Sequence, residues 1–119
     1  MSDQQVAQKY LSRSVVDGPE LYLRIPDAVE FIHYCQSKDL AVLGIEGFLF
    51  DCGTLTPRMD LIADYSTTRE SSSWKEYRDS VNNEALSFVR NMESLGDMVV
   101  SVEVWSEHEW SAANPTASR

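Results

Sequence analysis

Glu46 is the residue whose position asks most of chemistry. It stands inside Ala41–Phe50, an otherwise almost continuously apolar run, with Gly44 and Gly47 on either side. An isolated carboxylate buried in such a strand is costly. Glu46 must therefore pair with an internal Arg or Lys, open to solvent, or meet a partner. Asp60 and Asp64 follow, four residues apart. They share a face in a helix or in a strand, and as a like-charge pair they suit acid–base work, a cation site, or contact with something positive. All three belong to an acidic stretch: residues 39–66 carry Asp39, Glu46, Asp51, Asp60 and Asp64 against one base, Arg58.

The residue types that catalysis needs are poorly arranged. Phe50-Asp51-Cys52-Gly53-Thr54 approaches an aspartyl phosphoryl-transfer motif, which requires two acids one residue apart before Gly-Thr, one to attack and one to protonate the leaving group. Here Phe50 and Cys52 occupy those two positions. The soft-metal ligands are His33, Cys35, Cys52 and His108. His33 and Cys35 would diverge by about 200° on a helix, and no pair has zinc-finger spacing. Nothing local suggests a Ser or Cys nucleophile arranged with a His and an orienting acid for covalent catalysis, and no glycine-rich phosphate loop is present. The expectation is a protein that binds rather than catalyses, with no cofactor and no metal.

The elements that must carry these residues follow from periodicity. A Ser2–Gln5 capping box before Val6, Tyr10 and Leu11 predicts a short helix within a preamble, 1–18. Leu21, Leu23 and Ile25 alternate with Tyr22 and Arg24, which suits a strand. Pro26 in a first turn with Asp27 and Glu30 begins a helix that buries Ala28, Phe31, Ile32 and Cys35 and ends near Lys38. Ala41–Phe50 reads as a central strand buried on both faces, with Gly44 and Gly47 marking bulges or a close backbone approach. Gly53 and Pro57 are turn signals, 61–65 pairs as a further strand, and 66–73 is a Ser/Thr-rich loop. Ser73-Trp74-Lys75-Glu76 is a capping box, after which Trp74, Tyr77, Val81, Ala85, Phe88 and Met92 hold one helix face up to a cap at Gly96. Met98, Val100, Val102 and Val104 then alternate as a last strand, and 111–119 is read as a tail. One α+β domain over 1–110 is predicted: a two-layer sandwich whose mostly antiparallel or mixed sheet is covered by two amphipathic helices.

The totals set the class of partner. The chain has 119 residues, a net charge of −9 and 43% hydrophobic residues. A chain of this size holds a core without staples. So acidic a surface repels phosphate backbones and anionic membranes and favours a basic protein. Two cysteines do not make a disulfide framework, and no run approaches membrane-spanning length, so a cytoplasmic protein is expected. The candidate contacts are Glu46, Asp51, Asp60, Asp64 and Tyr65 in the acidic segment, with Glu103 and Trp105 on the outer side of the last strand.

Leu40-Ala41-Val42-Leu43-Gly44-Ile45-Glu46-Gly47 resembles the immunity proteins that neutralise anticodon-cleaving, tRNase-type colicins. In that family a short helix with a cysteine runs into an aliphatic strand ending Gly-Ile-Asp-Gly; here the acid is Glu46. The later order, an acidic irregular stretch, a helix with Asn82, Asn83 and Ala85, and a β-rich segment after Gly96, is also similar. Residues 1–20 and 66–73 depart from it. The resemblance implies an inhibitor that blocks the RNA-binding cleft of a basic nuclease toxin, carboxylates standing where RNA phosphates would. The alternative is a small ligand-binding or regulatory domain with a pocket at the glycine-rich strand.

Overall fold

The computed structural model describes residue 8 and residues 10–16, 18, 20–66 and 73–113. In chain order these form β1 (Tyr22–Arg24), α1 (Ile25–Ser37), β2 (Ala41–Asp51), β3 (Thr54–Asp64), α2 (Trp74–Arg90), a 3-10 turn (Glu93–Leu95), β4 (Met98–Trp105) and α3 (Glu107–Ala113). The strands make one sheet in the order β1-β4-β2-β3, and every neighbouring pair is antiparallel. Helices α1 and α2 pack on one face of it, so the architecture is the α+β two-layer sandwich that the sequence predicts.

Each helix forms for a local reason. Pro26 opens α1, Asp27 sits in its first turn, and Ala28, Phe31, Ile32 and Cys35 are buried on one stripe. Asp39 follows it in the left-handed region, φ 62°. Its carboxylate accepts a bond from Trp74 Nε1 at 2.7 Å and pairs with Arg78 at 2.6 Å, tying the α1–β2 turn to α2. Ser73 caps α2 by accepting from the Glu76 amide, and Trp74, Tyr77, Val81, Ala85 and Val89 form its buried stripe. Gly96, at φ 97°, closes the 3-10 turn that ends this segment.

Among the described residues, one polar side chain sits inside the core. Asn82 on α2 is 2% exposed. Its Oδ1 accepts from the Val42 amide at 2.8 Å, and its Nδ2 donates to the Leu40 carbonyl at 3.0 Å and to Gln36 Oε1 at 2.7 Å. A single amide thus satisfies backbone groups at the entry to β2 and links both helices to it.

The sheet is irregular where the glycines predict it. On β2 the register with β4 shifts between Val42 and Gly44, and the register with β3 shifts between Glu46 and Gly47. Gly47 pairs with Arg58 and Glu46 with Ile62, so Met59, Asp60 and Leu61 bulge between them. Leu61 folds over Gly47: a Cβ there would lie 2.8 Å from Leu61 Cβ. The turn joining β2 to β3 is Cys52-Gly53, both at positive φ, which suits a tight hairpin.

Four expectations need correction. β2 is central in the sheet, but among the described residues only one of its faces is under helices. Pro57 lies within β3, an edge strand, where its missing amide leaves no neighbour unpaired. β3 begins at Thr54 rather than at 61. Residues 111–113 belong to α3, which Ser106 and Glu109 start with reciprocal side-chain-to-amide bonds and which lays Trp110 against Trp74 and Tyr77. In the preamble, Tyr10 is helical and fully buried against Phe31, its hydroxyl donating to Glu30. The Ser2–Gln5 box, Val6, residues 67–72 and residues 114–119 lie outside the described residues.

Candidate partner-binding face

The register assigns the paired strand residues to a side, and core contacts place Leu61 of the β3 bulge. Leu23, Val100, Gly47 and Leu61 line the helix side, as do Met98 with Leu49, and Val102 with Ile45 and Ala63. Among the described residues, the opposite face carries no helix. Across it, one row reads Glu103, Gly44, Asp64 on β4, β2 and β3. The next reads Tyr22, Ser101, Glu46, Ile62, and the next Arg24, Val99, Phe48, Pro57.

Three of the sequence candidates therefore meet. Glu103 and Asp64 flank Gly44 from its two sides, and Glu46 stands two residues further along β2 on the same face. Diagonal neighbours in a sheet are about 7–8 Å apart and second-neighbour strands about 9–10 Å, which sets the size of this triangle. Gly44 has no side chain to fill it. Its centre is an open depression of about 310 Å³ whose lining includes Gly44, Glu46, Ile62, Asp64, Ser101 and Glu103.

All three acids are exposed, and none is paired with an arginine or lysine among the described residues. Asp64 is held in place: the Ser66 hydroxyl donates to it at 2.6 Å and the Ser66 amide at 2.9 Å. Those bonds keep its carboxyl below the usual range. Among the described residues, no three His, Cys, Asp or Glu converge closely enough to hold a metal ion.

The other four candidates are elsewhere. Asp51 is exposed at the tip of the β2–β3 hairpin. Asp60 sits in the β3 bulge, where Arg58 grips it through Nε at 3.0 Å and Nη2 at 2.8 Å, lowering its pKa. Tyr65 is buried; its amide donates to the Leu43 carbonyl, its own carbonyl accepts from the Tyr77 hydroxyl, and burial pushes its phenol up to about 12. Trp105 is half-buried with its ring 6.5 Å from that of Tyr77, so it belongs to the core rather than to the outer side of β4. Asp39, the remaining acid of the middle segment, is taken up by Arg78.

Sequence reasoning missed the neighbours of the triangle. Tyr22, Phe48 and Phe50 share the helix-free face, and Arg24 lies over the Phe50 ring at 5.4 Å. The period-two placement of Glu46, Phe48 and Phe50 carried that signal, but it was hidden by the apolar residues between them.

Compared with known proteins, the chain matches no protein-family model, and no curated protein matches it at a significant level. Among the described residues, no helix is long and apolar enough to cross a membrane.

Proposed function

We propose that this chain is an immunity-type inhibitor that binds a basic bacterial nuclease toxin in the cytoplasm and blocks it through the helix-free face of its sheet. The observation that carries this is the triangle of Glu46, Asp64 and Glu103 around Gly44, exposed and without internal cations among the described residues. Exposed like charges gathered on one face gain nothing from one another. They gain when a positive surface covers them, and the net charge of −9 would speed that encounter. Carboxylates on a broad face would then occupy the cleft that RNA phosphates otherwise enter. A small-ligand pocket at the same strand is supported by the depression over Gly44, but ligand sites are enclosed and mostly apolar, and this one is rimmed by exposed acids.

The test is stoichiometric. The purified chain is added to basic, tRNA-cleaving bacterial nuclease domains, including any encoded beside its own gene, and tRNA cleavage is followed. Loss of cleavage by one of them at equimolar chain supports the proposal, and full cleavage by all of them refutes it. Glu46→Lys with Asp64→Lys should weaken the inhibited pair by at least about 100-fold, since opposing charges at such contacts are worth a few kcal/mol. Full inhibition by the folded double variant would overturn the site assignment.

A further inference from the structure

The helix-free face has a half that the acid triangle leaves open. There the Tyr22 and Phe48 rings meet edge to face with centroids 5.5 Å apart. Arg24, paired with Val99, turns its guanidinium onto Phe50. Val99 lies between Arg24 and Phe48 in the register and is fully buried, although it stands outside the core under the helices. Tyr22 and Phe50 adjoin these two neighbours on the same face. Ring and carboxylate adjoin on this surface: Tyr22 and Glu46 lie in one row on either side of Ser101. Glu46 also contributes, after burial and Glu20, to raising the Tyr22 phenol.

We infer that this face selects arginine over lysine, gripping an arginine-bearing segment of a basic protein by stacking guanidinium planes on Phe48 and Tyr22 while Glu46 takes their N–H groups. This rests on the inhibitor proposal and names the side chain that the acidic face would hold. A guanidinium is planar, weakly hydrated and forked, so it can lie on a ring and bond a carboxylate at once; an ammonium is a compact, strongly hydrated point charge. The protein already makes such a contact internally, Arg24 on Phe50. The unpaired carboxylates beside the rings supply the charge complementarity that a second guanidinium needs.

The probes are fluorescein-labelled hexa-arginine and hexa-lysine peptides, titrated with the full chain at low salt and read by anisotropy. Hexa-arginine should bind more tightly, and Phe48→Leu, which keeps an apolar side chain beside Val99 but removes the ring, should cut the arginine-to-lysine ratio by about 3- to 5-fold, the exposed cation–π range. Lysine binding should stay unchanged. Glu46→Gln with Glu103→Gln should weaken both peptides together. If Phe48→Leu does not melt cooperatively, Tyr22→Leu is measured in its place. An unchanged ratio in the folded ring variant overturns the inference, as does equal binding of the two peptides by the wild type. If nuclease inhibition persists in either case, the inhibitor proposal stands alone; if inhibition is absent while the ring-dependent preference is present, the reverse holds.

Discussion

Replacing Asn82 tests how β2 is held in the sandwich. Asn82→Ala removes three bonds and leaves the Val42 amide and the Leu40 carbonyl facing a small void. A buried group left without its partner costs about 1–3 kcal/mol. The void has three polar neighbours, so a water can enter and recover part of this. Asn82→Leu fills the same space with carbon and denies that water. The expected order is therefore a loss of about 1–3 kcal/mol for Ala and about 3–5 kcal/mol for Leu, as two unsatisfied groups at once require. At about 4 °C per kcal/mol for a chain of this length, the Leu variant should melt more than about 12 °C below wild type. Equilibrium urea unfolding measures both, and an unchanged m-value confirms that the native fold is compared. A Leu variant as stable as wild type, or more stable than the Ala variant, would refute the view that these bonds hold β2.

Other perturbations probe the remaining joints. Gly47→Ala puts a Cβ 2.8 Å from Leu61 Cβ and should cost about 1–3 kcal/mol in urea unfolding; in a Leu61→Gly background, where that Cβ is gone, the same substitution should cost less. Trp110→Ala strips the ring that stacks on Tyr77 and should cost about 3 kcal/mol, with faster amide exchange across 107–113. Tyr10 and Tyr65 are each pushed up to about 12, Tyr10 by burial and by its bond to Glu30, Tyr65 by burial. Both phenols lose their protons first in the unfolded chain, so their contribution is intact below pH 10 and falls away as pH rises toward 12. Alkaline unfolding followed by tyrosinate absorbance should show this.

What could be read from the sequence was whatever one rule decided alone. α2 has a capping box and a long apolar stripe, and β4 alternates; β4 appears with its predicted bounds, whereas α2 stops at Arg90 with Asn91 at its cap, and the glycine expected to end it, Gly96, closes the 3-10 turn that follows. β3 was half-read because Pro57 and the Met59–Leu61 bulge break the alternation on which strand assignment depends. α3 was missed although Ser106 and Glu109 repeat the same box that marks α2; a short helix buries too few residues to show a stripe. Within the candidate site, acids could be gathered but not sorted. Asp64 and Tyr65 are adjacent and cannot both face outward from a strand, which alone separates contact from core. Trp105 ends its strand, where the turn into α3 overrides alternation. Asp60 was lost to Arg58, two residues away, a pairing that only the bulge geometry makes evident.

The strand order has a consequence for synthesis. β4 is hydrogen-bonded between β1 and β2, yet it follows α2 in the chain. Until Trp105 leaves the ribosome, β1 has no partner strand and the helices have half a sheet to rest on. A nascent chain halted before Met98 can close the β2–β3 hairpin but not the sandwich. Long-range pairing of this kind is slow to form. The sandwich is therefore completed only once β4 has emerged, and a premature stop within β4 removes the whole fold instead of trimming its end.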